Sequence, residues 1–280
     1  MSWTAASSRV SSSDVVVGPA GRLDVVLVCG GQWHDFDYAR RRLLNLLGNE
    51  PRARTRVFED YATGKALERA DLLVTYTCNN RPDPEQQLQL VEFVERGGRW
   101  LALHGSNSAI DPPALDGPRV FRTPRELGPV ARVLGSQFLG HPPIAPYLVE
   151  VTQPDHPLVA GVRAFEVADE LYVSELHPPL DVLLHTMYSG PSRGFVEGDT
   201  VDDQLRPVLY LKRTGAGEVC YFTLGHCRGR YDMQDLGVDD LGREDRGGWI
   251  IPEFVTVLER CLDWGLRGHS TVGSAGITTV

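Results

Sequence analysis

Residues 82–105 read PDPEQQLQLVEFVERGGRWLALHG, and this stretch decides the fold. Asp83 is placed to cap a helix, Pro84 occupies its first position, Gln86 stands three residues after the cap, and Gly97 ends it. The apolar run of Arg99–Leu103 follows at once and stops at His104-Gly105. A capped helix feeding a short apolar strand is one αβ step of a parallel sheet.

Working outward, LDVVLVC (23–29) is a continuous apolar run ending in Gly30-Gly31, as expected of a strand buried on both faces. Asp35 or Asp37 is the expected cap of a helix carrying Tyr38, Leu43, Leu44 and Leu47; strands are expected at 55–60, 70–77 and 99–105. This alternation, with short connections, predicts an α/β fold with a doubly wound, mostly parallel sheet whose ligands sit at the carboxyl ends of the strands. Beyond residue 111 the chain reads as a loop-rich insertion with a short helix near 125–135. Strand candidates follow at 147–152 and in AFEVADELYVSEL, DVLLHTMY, RPVLYLKR and GEVCYFTLGH, the last two joined by a hairpin at Thr214–Gly217. A closing amphipathic helix is expected over 252–266, with Phe254, Val255, Leu258, Cys261 and Leu262 on one face. One domain is therefore expected over 23–266, with mobile ends at 1–22 and 267–280. The acidic run 228–248 is long enough for a lid.

Composition bounds the function. Of 280 residues, 42% are hydrophobic and 23% charged, which suits a globular protein, and a formal net charge of −9 argues against nucleic acid as partner. The five cysteines are odd in number and widely spaced, and the amino-terminal residues lack the features of a secretory signal. The chain is thus expected to be cytoplasmic, with neither a membrane span nor a disulfide framework.

The chemistry concentrates in histidines at expected strand ends: His104 after the fourth strand, His226 in FTLGH, His34 in GGQWHD and His141 in LGHPP. Imidazoles carry protons near neutral pH and bind divalent metals when neutral, so His104 and His226 are catalytic candidates, and His34, His104 and His226 are candidate metal ligands. Against this stands a plain hydrogen-bonding role at a strand end. His156, His177 and His185 read as turn or strand residues. Asp169 and Glu170 are candidate catalytic or orienting carboxylates; in an extended segment they point to opposite faces, so only one faces the pocket. Trp33, His34, His141, Tyr172 and Arg228 are candidate substrate contacts, Trp33 as a stacking surface or as packing. Gly30-Gly31 without GxGxxG is too little for a nucleotide site. A divalent metal, zinc or manganese among them, is the cofactor the histidines admit, although their spacing matches no HExxH pattern.

The segments GGQWHD, PDPEQQLQLVEFVERGGRWLALHG, LGSQFLGHPP, PDHPLVAGV, ADELY and VCYFTLGH, in this order, resemble the ThuA-like (trehalose utilisation) family, a divergent relative of the class I glutamine amidotransferases. The resemblance covers roughly residues 24–265 and implies a flavodoxin-like sheet. It also implies that His104 stands where the amidotransferases hold a cysteine nucleophile, that His226 matches their later histidine, and that Arg228 replaces their glutamate. Glutamine hydrolysis through a thioester is therefore not expected. The resemblance further implies a carbohydrate ligand and a role in sugar catabolism: an enzyme acting on an oxidised, 3-keto sugar by histidine acid/base chemistry, with metal assistance as an option. The alternative is a noncatalytic sugar-binding or regulatory module; a homo-oligomer is compatible with either.

Overall fold

The computed structural model describes residues 21–113 and 120–267, leaving the side chains of 199–204 aside. The expected mobile ends lie outside the described residues except for 21, 22 and 267, as does His269. The elements run β1 (Leu23–Gly31), α1 (Phe36–Leu47), β2 (Ala53–Phe58), α2 (Lys65–Glu68), β3 (Leu72–Cys78), α3 (Pro84–Glu95), β4 (Arg99–Leu103), α4 (Gly128–Leu134) and β5 (Ser136–Gly140). Then come β6 (Ala145–Val151), β7 (Phe165–Asp169), β8 (Val173–Leu176), β9 (Asp181–Pro191), β10 (Asp199–Thr214), β11 (Gly217–Phe222) and α5 (Pro252–Arg267).

Local sequence explains the first half. Asp83 accepts from the Gln86 backbone N–H at 2.9 Å, while the Gln86 side chain takes the Asp83 N–H at 3.0 Å, so the capping box forms and α3 starts where its sequence directs. In α1 it is Asp35 that caps, accepting from the Tyr38 N–H. Strand β1 is buried on both faces: Val25, Leu27 and Cys29 pack with α1 and α5, and Val26 and Val28 pack with α2, α3 and α4. Gly30 and Gly31 are required by close packing. A Cβ on Gly30 would lie 2.2 Å from the Glu59 carbonyl oxygen, and one on Gly31 would lie 2.0 Å from that of Cys78.

Among the described residues, nine strands form one sheet in the order β2-β1-β3-β4-β11-β10-β9-β6-β7, and β5 and β8 form a separate pair. The first five strands are mutually parallel. The pairs β11–β10, β10–β9, β9–β6 and β6–β7 are antiparallel. The fold is thus mixed α/β, and the expectation of a mostly parallel sheet holds only for the half containing β1 to β4. The Gly215-Ala216 turn returns β10 directly onto β11, and a hairpin can join only antiparallel strands. Two further departures matter. The segment AFEVADELYVSEL is broken into β7 and β8 at Glu170–Tyr172, and β5 is a strand where a loop was expected.

Candidate functional site

The carboxyl ends of β1, β3, β4 and β11 converge, and backbone strain gathers there. Trp33 (φ 65°), Asn79 (φ 52°) and His104 (φ 47°) are the non-glycine residues with left-handed backbones among those described. They follow β1, β3 and β4 respectively. Such conformations cost about 1 kcal/mol or more apiece and persist where the surroundings fix them. For His104 that surrounding is explicit: the Tyr221 hydroxyl donates to its carbonyl at 2.6 Å, and Tyr76 stacks against its ring at 6.0 Å and 17°.

This elbow delivers the imidazole into a buried cluster. His34, His104, Glu170 and His226 offer donor atoms that all lie within 4.8 Å of one another, and all four residues are buried. His34 Nε2 and His104 Nε2 are 2.9 Å apart. Glu170 Oε2 lies 3.3 Å from His104 Nε2, and Oε1 lies 3.1 Å from His226 Nδ1, 3.4 Å from Arg228 Nη2 and 3.6 Å from His141 Nε2. With His34 Nε2 at 3.9 Å from Oε2, five groups from four parts of the chain converge on one carboxylate.

Protonation follows from the partners. Burial drives the His34 pKa well below its ordinary value, and the neighbouring His104 lowers it further. Burial also opposes charge on His104, but the hydrogen bond and charge of Glu170 outweigh it, and the His104 pKa is raised. Burial penalises the Glu170 carboxylate, yet His141, His226 and His104 hold its pKa well below the usual range. His104 Nδ1 lies 2.9 Å from the Thr223 carbonyl, in position to donate, its Nε2 stands between His34 Nε2 and Glu170 Oε2, and His34 Nδ1 lies 3.1 Å from the Gln32 carbonyl, also in position to donate. His226 is different: it is fully buried, and neither ring nitrogen makes a hydrogen bond of acceptable geometry, despite the nearby Glu170 oxygen. An imidazole with two unpartnered buried nitrogens is costly unless something else engages it.

Asp169 and Glu170 divide the work that the sequence left open between them. Glu170, in the break between β7 and β8, faces the imidazoles. Asp169 accepts backbone N–H groups from Glu170 (2.8 Å), Gly225 (3.0 Å), His226 (3.1 Å) and Gly248 (2.7 Å). It ties the end of β7 to the turn that carries His226 and to the end of the 228–248 segment.

In front of the cluster lies a cavity of about 380 Å³, lined at one end by His34, His141, Glu170 and Arg228. Trp33 and Tyr172, two of the residues put forward from the sequence, also line it. His104 and His226 do not: their rings meet at 5.8 Å, but they stand behind His34 and Glu170, 1% and 0% exposed. The 228–248 segment forms one wall through Met233 and Leu236, and is pinned by Trp33 Nε1 donating to Asp235 at 2.9 Å and by an Arg246–Asp35 ion pair at 2.7 Å. His185 lies away from the cluster, on β9 beside Glu150. Sequence reasoning missed Thr223, which fixes the His104 ring, and the aromatic residues Phe121, Phe138 and Phe195 of the cavity wall. Phe138 lay in a quoted segment, QFLGHPP, and was the one with a signal.

The family described as trehalose utilisation, ThuA, matches residues 25–237. Among solved structures, a ThuA-like protein from Parabacteroides merdae superposes with a TM-score of 0.61 at 16% identity, over 89% of this chain and 91% of that one. One from Bacteroides uniformis gives 0.59 at 16% identity, over 91% and 95%. A β-galactosidase from Rahnella sp. R3 gives 0.50 at 15% identity, over 87% of this chain but 32% of its own. No curated protein matches. Fold likeness at such identities speaks for architecture alone; the match over residues 25–237 settles the lineage, and the chain belongs to the ThuA family.

Proposed function

We propose that this protein is a cytoplasmic enzyme of carbohydrate catabolism that acts on an oxidised, 3-keto sugar or glycoside by histidine acid/base chemistry assisted by a divalent ion. The observation that carries the reading is the buried set His34, His104, Glu170 and His226, of which His34 and Glu170 reach the cavity. Its makeup, three imidazoles and one carboxylate, suits zinc or manganese. Tetrahedral ligands of one ion at roughly 2.0–2.2 Å lie about 3.3–3.6 Å apart, so the set, spread over 4.8 Å, closes around an ion with side-chain shifts of about 1 Å. The unpartnered nitrogens of His226 support the same conclusion. Five free, buried cysteines agree with a reducing compartment, and no described helix is long and apolar enough to cross a membrane. The doubly wound, flavodoxin-like reading of the parallel half belongs to the same proposal. It is supported by the order β2-β1-β3-β4-β11 and by helices packed on both faces.

A ketone acidifies the hydrogen on the neighbouring carbon. Because His104 and His226 stand behind the cavity, they would hold the ion, and His141, whose Nδ1 is tied to the Pro142 carbonyl at 2.8 Å and whose ring lines the cavity, takes that proton on Nε2. A bound ion supplies positive charge beside the developing enediolate oxygen. The proton then returns either to the adjacent carbon, giving an isomer, or to the glycosidic oxygen as the bond from it to the sugar breaks; water adds to the resulting alkene. Arg228 donates to sugar hydroxyls at this end, while Glu170 stays with the imidazoles.

Elemental analysis of untagged protein tests the reading together with mass spectrometry of products from 3-keto-glucosides. About one ion per chain is expected, lost in His226→Ala and His104→Ala together with turnover, while His141→Gln keeps the ion and loses turnover. Tight ligand binding without product, in metal-loaded protein, would favour the noncatalytic sugar-binding module instead.

A further inference from the structure

Away from the histidines the cavity is walled by rings. Trp33 and Phe121 lie 5.8 Å apart, Phe121 and Phe195 5.5 Å, Phe195 and Phe138 5.4 Å, and Phe138 and Tyr172 4.7 Å, so five side chains form one continuous arc. The arc ends against the cluster: Tyr172 packs 5.0 Å from His104, and His141 lies 5.0 Å from Phe195. Ile110, Met233 and Leu236 complete the wall. The imidazole and charged side chains of the lining are His34, His141, Glu170 and Arg228, gathered around Glu170 at one end, and exposed Arg193; the arc itself adds the Tyr172 hydroxyl.

From this division we infer that the cavity takes one sugar ring at its polar end and an apolar, preferably aromatic, aglycone along the arc, rather than a second sugar. The inference rests on the proposed reading of the site as one for an oxidised sugar, and it names the class of glycoside. One hexose uses the donors and acceptors that the polar end provides. A second hexose in the arc would bring several hydroxyls against carbon, and each one left without a partner weakens binding roughly tenfold. A flat apolar group meets ring faces and edges instead, in the offset and edge-on packing that aromatic groups favour. At about 380 Å³ the space is at the small end of ligand cavities, which also disfavours a bulky hydrated disaccharide.

Binding of unoxidised phenyl glucoside, methyl glucoside and trehalose to the wild-type protein, followed by calorimetry with both anomers of the two simple glycosides, tests the inference without relying on turnover. Phenyl glucoside is expected to bind roughly 30-fold more tightly than methyl glucoside, as burial of one ring's apolar surface gives, and more tightly than trehalose. In Phe195→Ser, and separately in Leu236→Ser, the phenyl-to-methyl ratio should fall several-fold. Trehalose binding as tightly as phenyl glucoside, a ratio that neither variant changes, or no binding of any of the three at millimolar concentration overturns the inference. A phenyl preference in a protein that turns over no 3-keto-glycoside would leave the cavity's ligand class standing while removing the catalytic reading.

Discussion

Replacing Asp169 should be among the most damaging single changes in the described chain, although no imidazole touches its carboxylate. The residue is 1% exposed, and its two oxygens receive four backbone N–H groups. Asp169→Ala leaves all four without their acceptor. At about 1 kcal/mol per amide, a low figure for a buried donor stripped of its partner, the loss is about 4 kcal/mol. That is a large share of the roughly 5–15 kcal/mol that holds a typical domain together. Asp169→Asn keeps one oxygen and should lose about half as much. Urea unfolding at pH 7, followed by tryptophan fluorescence, reads both, because the chain has five tryptophans and Trp249 lies beside Gly248. The m-value should stay constant while the midpoint falls, more for Ala than for Asn. If both variants unfold within 1 kcal/mol of the parent, Asp169 does not carry the turn at His226 and the assignment of roles to the two carboxylates fails.

Gly30→Ala should destabilise more than Gly64→Ala in thermal unfolding: the first drives a Cβ to 2.2 Å from a backbone oxygen, while the second meets nothing within 4 Å and costs only the strain of its φ 51°, ψ −138° backbone, about 1–3 kcal/mol. Burial pushes the thiols of Cys29 and Cys78 up to about 12, so at pH 8 both are protonated; Ellman's reagent should find no rapidly reacting thiol in the folded chain and five in denaturant. Rapid native labelling would contradict that burial. Trp33→Phe removes the hydrogen bond to Asp235, about 1 kcal/mol, and should speed limited proteolysis within 228–248 by roughly fivefold. An unchanged cleavage rate would show that the segment is pinned elsewhere.

What could be read beforehand was what the chain encodes locally. The α3 capping box, the two-sided burial of β1 and the Gly215-Ala216 hairpin each depend on a few neighbouring residues, and each is present. The strand-end positions of His34, His104 and His226 were legible for the same reason, since an apolar run that stops at Gly or His marks where a strand leaves the sheet. Strand β5 was not legible: it is five residues between glycine and Pro142-Pro143, and it exists because β8, some forty residues later, supplies its hydrogen bonds. Beyond the β10–β11 hairpin the antiparallel half was hidden likewise, because pairing partners are not written in a strand's own residues. The aromatic arc draws on residues 33, 121, 138, 172 and 195, which only the finished topology brings together.

The positions of the four clustered donors, 34, 104, 170 and 226, span most of the described chain. During synthesis the first two are in place long before the last exists, and β11, whose end carries His226, must slot between β4 and β10 to present it. The centre therefore cannot nucleate folding. It is completed late, by contacts of long sequence separation, so a truncated or half-folded chain lacks the cluster, and an ion bound as proposed would load only after the sheet has closed.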